Sequence, residues 1–143
     1  MTAELHGTYD FKQVSVLVGV RQIEGFEGGT SITAERDTDS FTKKVDIDGS
    51  VTRSRSNNSA GRISFTLNQY AASNGYLQTL MNLDERTGTG VVPVKIVDKN
   101  NPNTEIVVAL KAWVMKPSNR VYETESGARE WVIDCADLNF LQS

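Results

Sequence analysis

Alternation of apolar and polar residues is the strongest pattern in this sequence, and it is clearest at residues 62–68. There Ile63, Phe65 and Leu67 occupy every second position, and the residues between them are polar. Because successive side chains of a β-strand point to opposite faces of the sheet, this spacing predicts a strand with one buried and one solvent-exposed face. Comparable patterns predict further strands at residues 13–20, 30–36, 91–98, 105–115 and 129–140. A chain built from such strands should fold as a mainly antiparallel β-sandwich or barrel.

Glycine-rich and asparagine-rich runs predict the turns between these strands. Three glycines at residues 25–29 predict a hairpin that joins the strands at 13–20 and 30–36, the first of which could continue through 23–26 after a bend. The run at 99–103 predicts a loop. A turn at Ser126 and Gly127 could pair a short strand at 120–125 with the strand that begins at residue 129.

One segment, residues 73–83, has the spacing of a helix instead of a strand. Its apolar residues recur at intervals of three and four, as in a helix that packs one face on a core. Ser73 or Asn74 is the expected N-cap, and Gly88 should lie just beyond the C-terminus. We therefore expect one α-helix flanking the sheet.

Residues 37–61 form the most polar stretch of the chain. Its sizeable apolar residues are only Phe41, Val45, Ile47 and Val51. Asp48 and Gly49 predict a tight turn at the middle of the stretch. The segment, called the arm below, should be a projecting polar hairpin that cannot build a core of its own. It therefore needs a partner surface, either elsewhere in the fold or on another chain.

Length and composition limit the class of protein. The chain has 143 residues, and we expect residues 1–143 to form a single domain. Its net charge of -3 disfavours a free-standing duplex-DNA binder, which is usually basic. The N-terminal residues lack the pattern of a secretory signal, and no apolar run is long enough for a membrane helix. A chain with one cysteine and no leader is expected to fold in a reducing cytoplasm.

No group of residues predicts an active site, a metal site or a cofactor site. His6 lies in a polar terminal segment and is expected to be solvated. Asp46 and Asp48 resemble the start of a calcium loop, but Asn57 stands where the motif requires a glutamate. Cys135, between Asp134 and Ala136 in a strand, should be a buried structural residue, and Trp113 and Trp131 should both lie in the core. The sequence thus predicts a protein that is not an enzyme and needs no cofactor.

Whole-chain similarity is more informative than any short motif. The segments YDFKQVSV, ITAERDTDSFTK, DGSVTRSRSNN, GRISFTL and REWVIDCADLN occupy residues 9–16, 32–43, 48–58, 61–67 and 129–139. With these segments in this order, the chain resembles the phiTE-like tail tube proteins of contractile-tailed bacteriophages (myoviruses), over roughly residues 8–141.

This resemblance implies a structural virion protein whose hexameric rings stack into a hollow tail tube inside a contractile sheath. The subunits would be β-sandwiches flanked by one helix, and phage DNA would pass through the lumen during ejection without specific binding. The implied partners are further copies of the chain, the sheath protein, the tape-measure protein and the baseplate, with assembly in the host cytoplasm and no membrane. The arm would contact the adjacent ring, and the implied contact residues are Asp37, Asp39, Lys43, Lys44, Asp46, Asp48, Arg53 and Arg55.

Several alternatives stay open at the level of sequence. The chain could be the tube of another contractile injection system, such as a type VI secretion or bacteriocin-like tube, or a single-ring tail terminator or connector. A β-sandwich enzyme or carbohydrate-binding module is a further class. Acids that face a lumen would repel the phosphates of passing DNA. The candidates cannot be ranked without the strand register, and they are Glu24, Glu27, Asp37, Asp39 and Asp134.

Overall fold

The computed structural model describes residues 2–30, 32–100 and 104–142, which form ten strands and one α-helix. A 3₁₀ turn at Phe11–Gln13 precedes the first strand. The strands and the helix, in chain order, are β1 (Val14–Val18), β2 (Arg21–Gln22), β3 (Thr33–Arg36), β4 (Phe41–Val45), β5 (Val51–Arg55), β6 (Gly61–Asn68), α1 (Ala72–Thr87), β7 (Val92–Asp98), β8 (Glu105–Val114), β9 (Ala128–Cys135) and β10 (Asn139–Gln142).

Eight of these strands form one antiparallel sheet. Its order is β2-β1-β7-β8-β9-β6-β3, and β10 also pairs with β8. One edge of β8 pairs with β7, while the other edge is shared between β10 at residues 105–108 and β9 at residues 112–114. The remaining two strands, β4 and β5, pair with each other in a separate sheet. The prediction of a mainly antiparallel β fold with one helix is confirmed.

The segment at residues 23–27 connects the two ends of the main sheet. The Ile23 N–H donates to the Val16 carbonyl of β1 at 2.8 Å. Farther along, the Gly25 carbonyl accepts from the Asn68 N–H of β6 at 2.7 Å, and Phe26 forms an isolated bridge with Leu67. Because one short segment bonds to both β1 and β6, the sheet must curve back on itself, and this curvature encloses the core.

The core lies between the inner face of the curved sheet and α1. Along β6, Ile63, Phe65 and Leu67 are buried and the alternate side chains are partly exposed, which confirms the predicted pattern. The helix adds Leu77 and Met81 to the same cluster. The two tryptophans differ, because Trp131 is fully buried whereas Trp113 is only partly buried, so the prediction of a core position is wrong for Trp113.

The helix begins earlier than its polar residues suggested. Its N-cap is Ala71, which makes no side-chain capping bond, so the prediction of Ser73 or Asn74 is wrong. Both side chains instead form tertiary hydrogen bonds: the Ser73 hydroxyl accepts from the Glu24 N–H at 2.9 Å, and the Asn74 side-chain oxygen accepts from Trp131 Nε1 at 2.9 Å. At the other end, Gly88 adopts the left-handed conformation that ends the helix, as predicted.

The predicted hairpin between residues 13–20 and 30–36 is wrong. The chain reverses earlier, at Gly19 and Val20, so that β1 pairs with β2 through Val18 and Arg21. The predicted strand at 30–36 is present as the shorter β3, but it pairs with β6 and not with β1. The glycines at 25–29 therefore mark the irregular segment that crosses from one end of the sheet to the other.

Two further predictions fail near the C-terminus. Residues 120–125 form no strand, and β9 pairs with β6 and β8 instead. The predicted strand at 129–140 is divided into β9 and β10, because residues 136–138 turn away and Leu138 is buried, with its N–H donating to the Ser59 carbonyl at 2.8 Å.

Of the predicted loop at 99–103, residues 101–103 lie outside the described residues. No helix in the described ranges is long and apolar enough to span a membrane.

Substitution of Gly61 by alanine should destabilise the fold. A Cβ at this position would lie 2.5 Å from the Glu35 carbonyl oxygen and 2.8 Å from a Leu138 methyl group, so that β3 or Leu138 must move. Overpacking of this kind costs about 1–3 kcal/mol of unfolding free energy, which urea denaturation would measure. The control is Gly75→Ala at an open helical site, which should stabilise the protein by about 0.5–1 kcal/mol. A Gly61→Ala variant as stable as the wild type would contradict this packing.

Candidate functional site

The arm is a two-stranded hairpin made of β4 and β5. Its register pairs Phe41 with Arg55 at the base and Val45 with Val51 near the tip. All ten residues of the two strands are exposed. A two-stranded hairpin is at best marginally stable alone in water. These exposed strands are therefore a surface to which a partner could add contacts.

The tip of the arm is a tight turn closed by hydrogen bonds. The Asp46 N–H donates to the Ser50 carbonyl at 2.8 Å, and the Gly49 N–H donates to the Asp46 carbonyl at 2.9 Å. Gly49 has a φ of 87°, a left-handed conformation that a residue with a Cβ rarely adopts. The predicted turn at Asp48 and Gly49 is confirmed.

The carboxylate of Asp48 is stabilised within this turn. The Ser50 hydroxyl and the Ser50 N–H both donate to Asp48 Oδ1, at 2.6 and 2.9 Å. These two bonds, the hydroxyl bond first, lower the pKa of Asp48 below its ordinary value of 3.8. Because the folded-state pKa is the lower one, the turn gains stability from charged Asp48 above that ordinary value and loses it as the pH falls through the folded pKa.

Removal of the Ser50 hydroxyl should raise the pKa of Asp48. We expect Ser50→Ala to move it back toward 3.8, since the larger of the two stabilising hydrogen bonds is lost. An NMR titration of the Asp48 side-chain carbon would measure the change. Ser54→Ala, on the exposed β5 strand, is the control and should leave the Asp48 titration unaltered. Equal pKa values in all three proteins would contradict this role for the hydroxyl.

The register divides the arm into two chemically different faces. One face, called the basic–apolar face below, carries Phe41, Lys43, Val45, Val51, Arg53 and Arg55. The opposite face carries Thr42, Lys44, Thr52 and Ser54. On the basic–apolar face the Arg53 guanidinium lies 4.3 Å from the centre of the Phe41 ring. The combination of aromatic, aliphatic and arginine side chains is typical of the central part of a protein–protein interface.

The charges of the arm form no ion pairs with each other. In the part of the chain that the structure describes, the one ion pair is Arg62 Nε with Asp134 Oδ1, at 3.2 Å. Lys43 lies directly opposite Arg53, an arrangement of like charges that disfavours the isolated hairpin. The acids among the predicted contact residues lie elsewhere: Asp37 and Asp39 precede β4, and Asp46 and Asp48 lie in the tip turn. The cations of the arm are thus left available to an acidic partner.

Hydrogen bonds at the base of the arm fix it to the main sheet. Arg36 Nε donates to the Leu138 carbonyl at 2.9 Å, and Arg36 Nη1 donates to the Ser40 hydroxyl at 3.2 Å. The Asp37 N–H donates to the Ala60 carbonyl at 3.0 Å. Sequence patterns do not indicate the contact between Arg36 and Leu138, because it joins residues far apart in the chain. Their bonds fix the direction in which the arm leaves the sheet.

The other residues singled out in the sequence have ordinary environments. His6 is exposed, and Cys135 is buried, with its pKa raised to about 11 by burial first and by nearby acids second. Of the candidate lumen acids, Glu27 accepts from Asn68 Nδ2 at 3.1 Å and Asp134 pairs with Arg62, whereas Glu24, Asp37 and Asp39 are exposed. Within residues 2–30, 32–100 and 104–142, no three His, Cys, Asp or Glu residues are placed to hold a metal ion together.

Comparison with known families identifies the kind of protein. The family described as Bacteriophage PhiTE tail tube protein matches residues 7–142. The chain belongs to this tail tube family. A phage tail tube family protein is a structural component of the virion and not an enzyme, which sets aside the enzyme alternative. A curated relative, Structural protein ORF10 of Pseudomonas phage KPP10, is 24% identical over 139 residues, which cover 93% of this chain and 80% of that protein.

Solved structures with the same fold include a tube terminating cap and two parts of a contractile injection system. The cap of the anti-feeding prophage, a tube terminating cap, has a TM-score of 0.66 at 12% identity, with 100% of this chain and 97% of that chain covered. The sheath/tube terminator of the extracellular contractile injection system PVC has a TM-score of 0.65 at 14% identity, and the match covers 96% of this chain and 99% of that chain. A chain of the PVC sheath-tube complex has a TM-score of 0.64 at 12% identity, and the match covers 97% of this chain and 95% of that chain. For this tail tube family member, these likenesses establish the fold.

Proposed function

We propose that this protein forms hexameric rings that stack into the hollow inner tube of a contractile phage tail, through which DNA is ejected. Residues 1–143 would act as one tail-tube domain, and the arm would contact the adjacent ring. The observation that carries the proposal is the exposed basic–apolar face, whose cations have no ion-pair partner within the described part of the chain. An interface with an acidic surface on another copy would supply that partner.

The arm also favours a stacked tube over a single terminating ring. A subunit inside a stack needs a surface that reaches the next ring and a second surface that receives the arm of the ring before it. The solved structures with this fold include both a terminator and a sheath-tube complex, so fold alone does not separate the two roles. Since identical subunits can repeat an arm contact indefinitely, a heterologous contact of this kind produces an open stack. Other contractile injection tubes remain the second candidate, and genes for capsid and terminase nearby would distinguish a phage.

The remaining partners follow from this arrangement. The outside of the tube would contact the sheath protein, and its ends and lumen would contact the baseplate and the tape-measure protein. The complete tail would be assembled in the host cytoplasm. The net charge of -3 suits a conduit, because a basic lining would bind the phosphates of the genome and retard its passage.

Electron microscopy of the purified protein over a range of concentrations tests the proposal. We expect hollow rings with six-fold end views that stack into filaments as the concentration rises. Single rings that never stack would favour a terminator or connector. A protein that stays monomeric at every concentration, with and without baseplate components that could nucleate the tube, would contradict the proposal.

A further inference from the structure

A cavity of about 330 Å³ lies between α1 and the irregular segment that precedes β9. The residues that define its chemistry are Gln69, Asn74, Gln78, Ser118, Arg120 and Arg129. None of the residues that line it is acidic. None of the arm's residues lines the cavity.

Arg129 is a buried cation without a counter-ion in this cavity. The residue is only 7% exposed, and its guanidinium lies 5.6 Å from the centre of the Tyr122 ring. Its Nη1 atom is buried and has no hydrogen-bond partner. The Ser118 hydroxyl is also buried without a hydrogen-bond partner. In the described ranges, Arg129 Nη1 and this hydroxyl are the two buried side-chain polar atoms that lack one. Both line the same cavity.

Such a pair of atoms requires a physical explanation. Buried polar atoms nearly always have a hydrogen-bond partner, and a buried charge without one is strongly unfavourable. A water molecule could satisfy the Ser118 hydroxyl, but it would leave the charge of Arg129 without neutralisation. An anion would provide both the acceptor and the charge.

The other polar groups of the cavity also suit an anion. Each amide oxygen that lines it already accepts a hydrogen bond: Gln69 Oε1 from the Gly127 N–H at 2.8 Å, Asn74 Oδ1 from Trp131 Nε1 at 2.9 Å, and Gln78 Oε1 from Arg120 Nη2 at 2.9 Å. The bond to Gln78 holds a second guanidinium in the lining of the same cavity. The two side-chain atoms left without partners, Arg129 Nη1 and the Ser118 hydroxyl, can both donate, as in a site for an oxyanion.

We propose that this cavity binds an oxyanion, with Arg129 and Ser118 as the buried donors and Arg120 as a second cation at its rim. The anion has one of two sources. It is either a free ion such as phosphate, or the carboxylate of an Asp or Glu that belongs to a neighbouring copy of the chain. The site does not depend on the tube proposal, because its donors are present in the single chain.

Thermal unfolding in inorganic phosphate, acetate or chloride at equal ionic strength tests the site. We expect phosphate or acetate to raise Tm above its value in chloride, because a ligand that binds only the folded state stabilises it. Arg129→Met should weaken the apparent affinity at least tenfold. Arg86→Met, at an exposed position near the end of α1, is the matched control and should retain the full effect. Ser118→Ala and Arg120→Met should also weaken binding, and they provide the test if Arg129→Met does not fold.

NMR of the Arg129 side-chain Nε–H group, in the single chain and in assembled particles, separates the two sources of the anion. Phosphate that shifts this signal in both states identifies a free ion as the ligand. A shift on assembly without phosphate, together with loss of phosphate binding, identifies a carboxylate of a neighbouring copy. The proposal is overturned if phosphate and acetate raise Tm of the wild type no more than they raise Tm of Arg129→Met, Ser118→Ala and Arg120→Met, since phosphate also stabilises proteins in general, and if the Arg129 signal responds neither to phosphate nor to assembly.

Discussion

Replacement of Lys43, Arg53 and Arg55 by glutamate should yield a folded protein that no longer extends a tube. All three side chains are exposed on the basic–apolar face and are absent from the hydrophobic core, so their loss should leave the core intact. Opposite an acidic surface, the new charges would repel where the native ones attract, and like-charge contacts at an interface cost several kcal/mol. We expect the mean tube length in electron micrographs to fall at least tenfold while the far-ultraviolet circular dichroism is unchanged.

A control on the opposite face separates a local effect from a general change of charge. Glutamate at Thr42, Thr52 and Ser54 also makes the arm more acidic, but on the opposite face and without replacing any residue proposed to contact the next ring. These changes should shorten the tubes much less. Deletion of residues 43–55 should reproduce the loss of elongation in a folded domain. Tubes of normal length from the deletion would end the proposal that the arm joins the rings.

Truncation of Trp131 should have the largest effect of any single substitution on stability. Its side chain is fully buried, and its Nε1 donates to Asn74 Oδ1 at 2.9 Å. Trp131→Ala leaves a large cavity and removes this bond, at a cost of about 3–5 kcal/mol. Urea denaturation would measure this loss, and the melting temperature should fall by roughly 10–20 °C.

The second tryptophan provides the matched control. Trp113 is only partly buried, so Trp113→Ala removes a side chain of the same size from a partly solvated site. It should cost less than half as much unfolding free energy as Trp131→Ala. Trp131→Phe should cost an intermediate amount, because the ring is partly kept while Asn74 loses its donor. Equal losses for the two alanine variants would contradict the difference in burial.

The features that local sequence patterns predicted are those that depend on local physics. The alternation along β6 and the helical spacing of α1 each follow from which face of an element is buried. The same holds for the tip turn of the arm, because Gly49 supplies the conformation that the turn requires. The family resemblance was likewise predicted from the sequence, and the family match confirms it.

The features that the sequence did not predict depend on contacts between distant residues. Nothing within residues 30–36 shows that β3 pairs with β6 instead of β1. Serine is a common N-cap residue, but the buried Ser73 hydroxyl accepts a hydrogen bond from the Glu24 N–H instead of capping the helix. The cavity at Arg129 did leave a signal, because Arg129 lies in alternation with Trp131 and Cys135, and this spacing places a cation on the buried face of β9.

The order of strands in the sheet has a consequence for synthesis on the ribosome. β6 lies between β3 and β9, and it pairs with β9 along its whole length from Gly61 to Asn68. Until translation has passed Cys135, the edge of β6 that β9 will occupy is uncovered. A nascent chain is thus prone to aggregation for much of its elongation, since unpaired strand edges associate readily. This period of exposure is where we expect chaperones to bind.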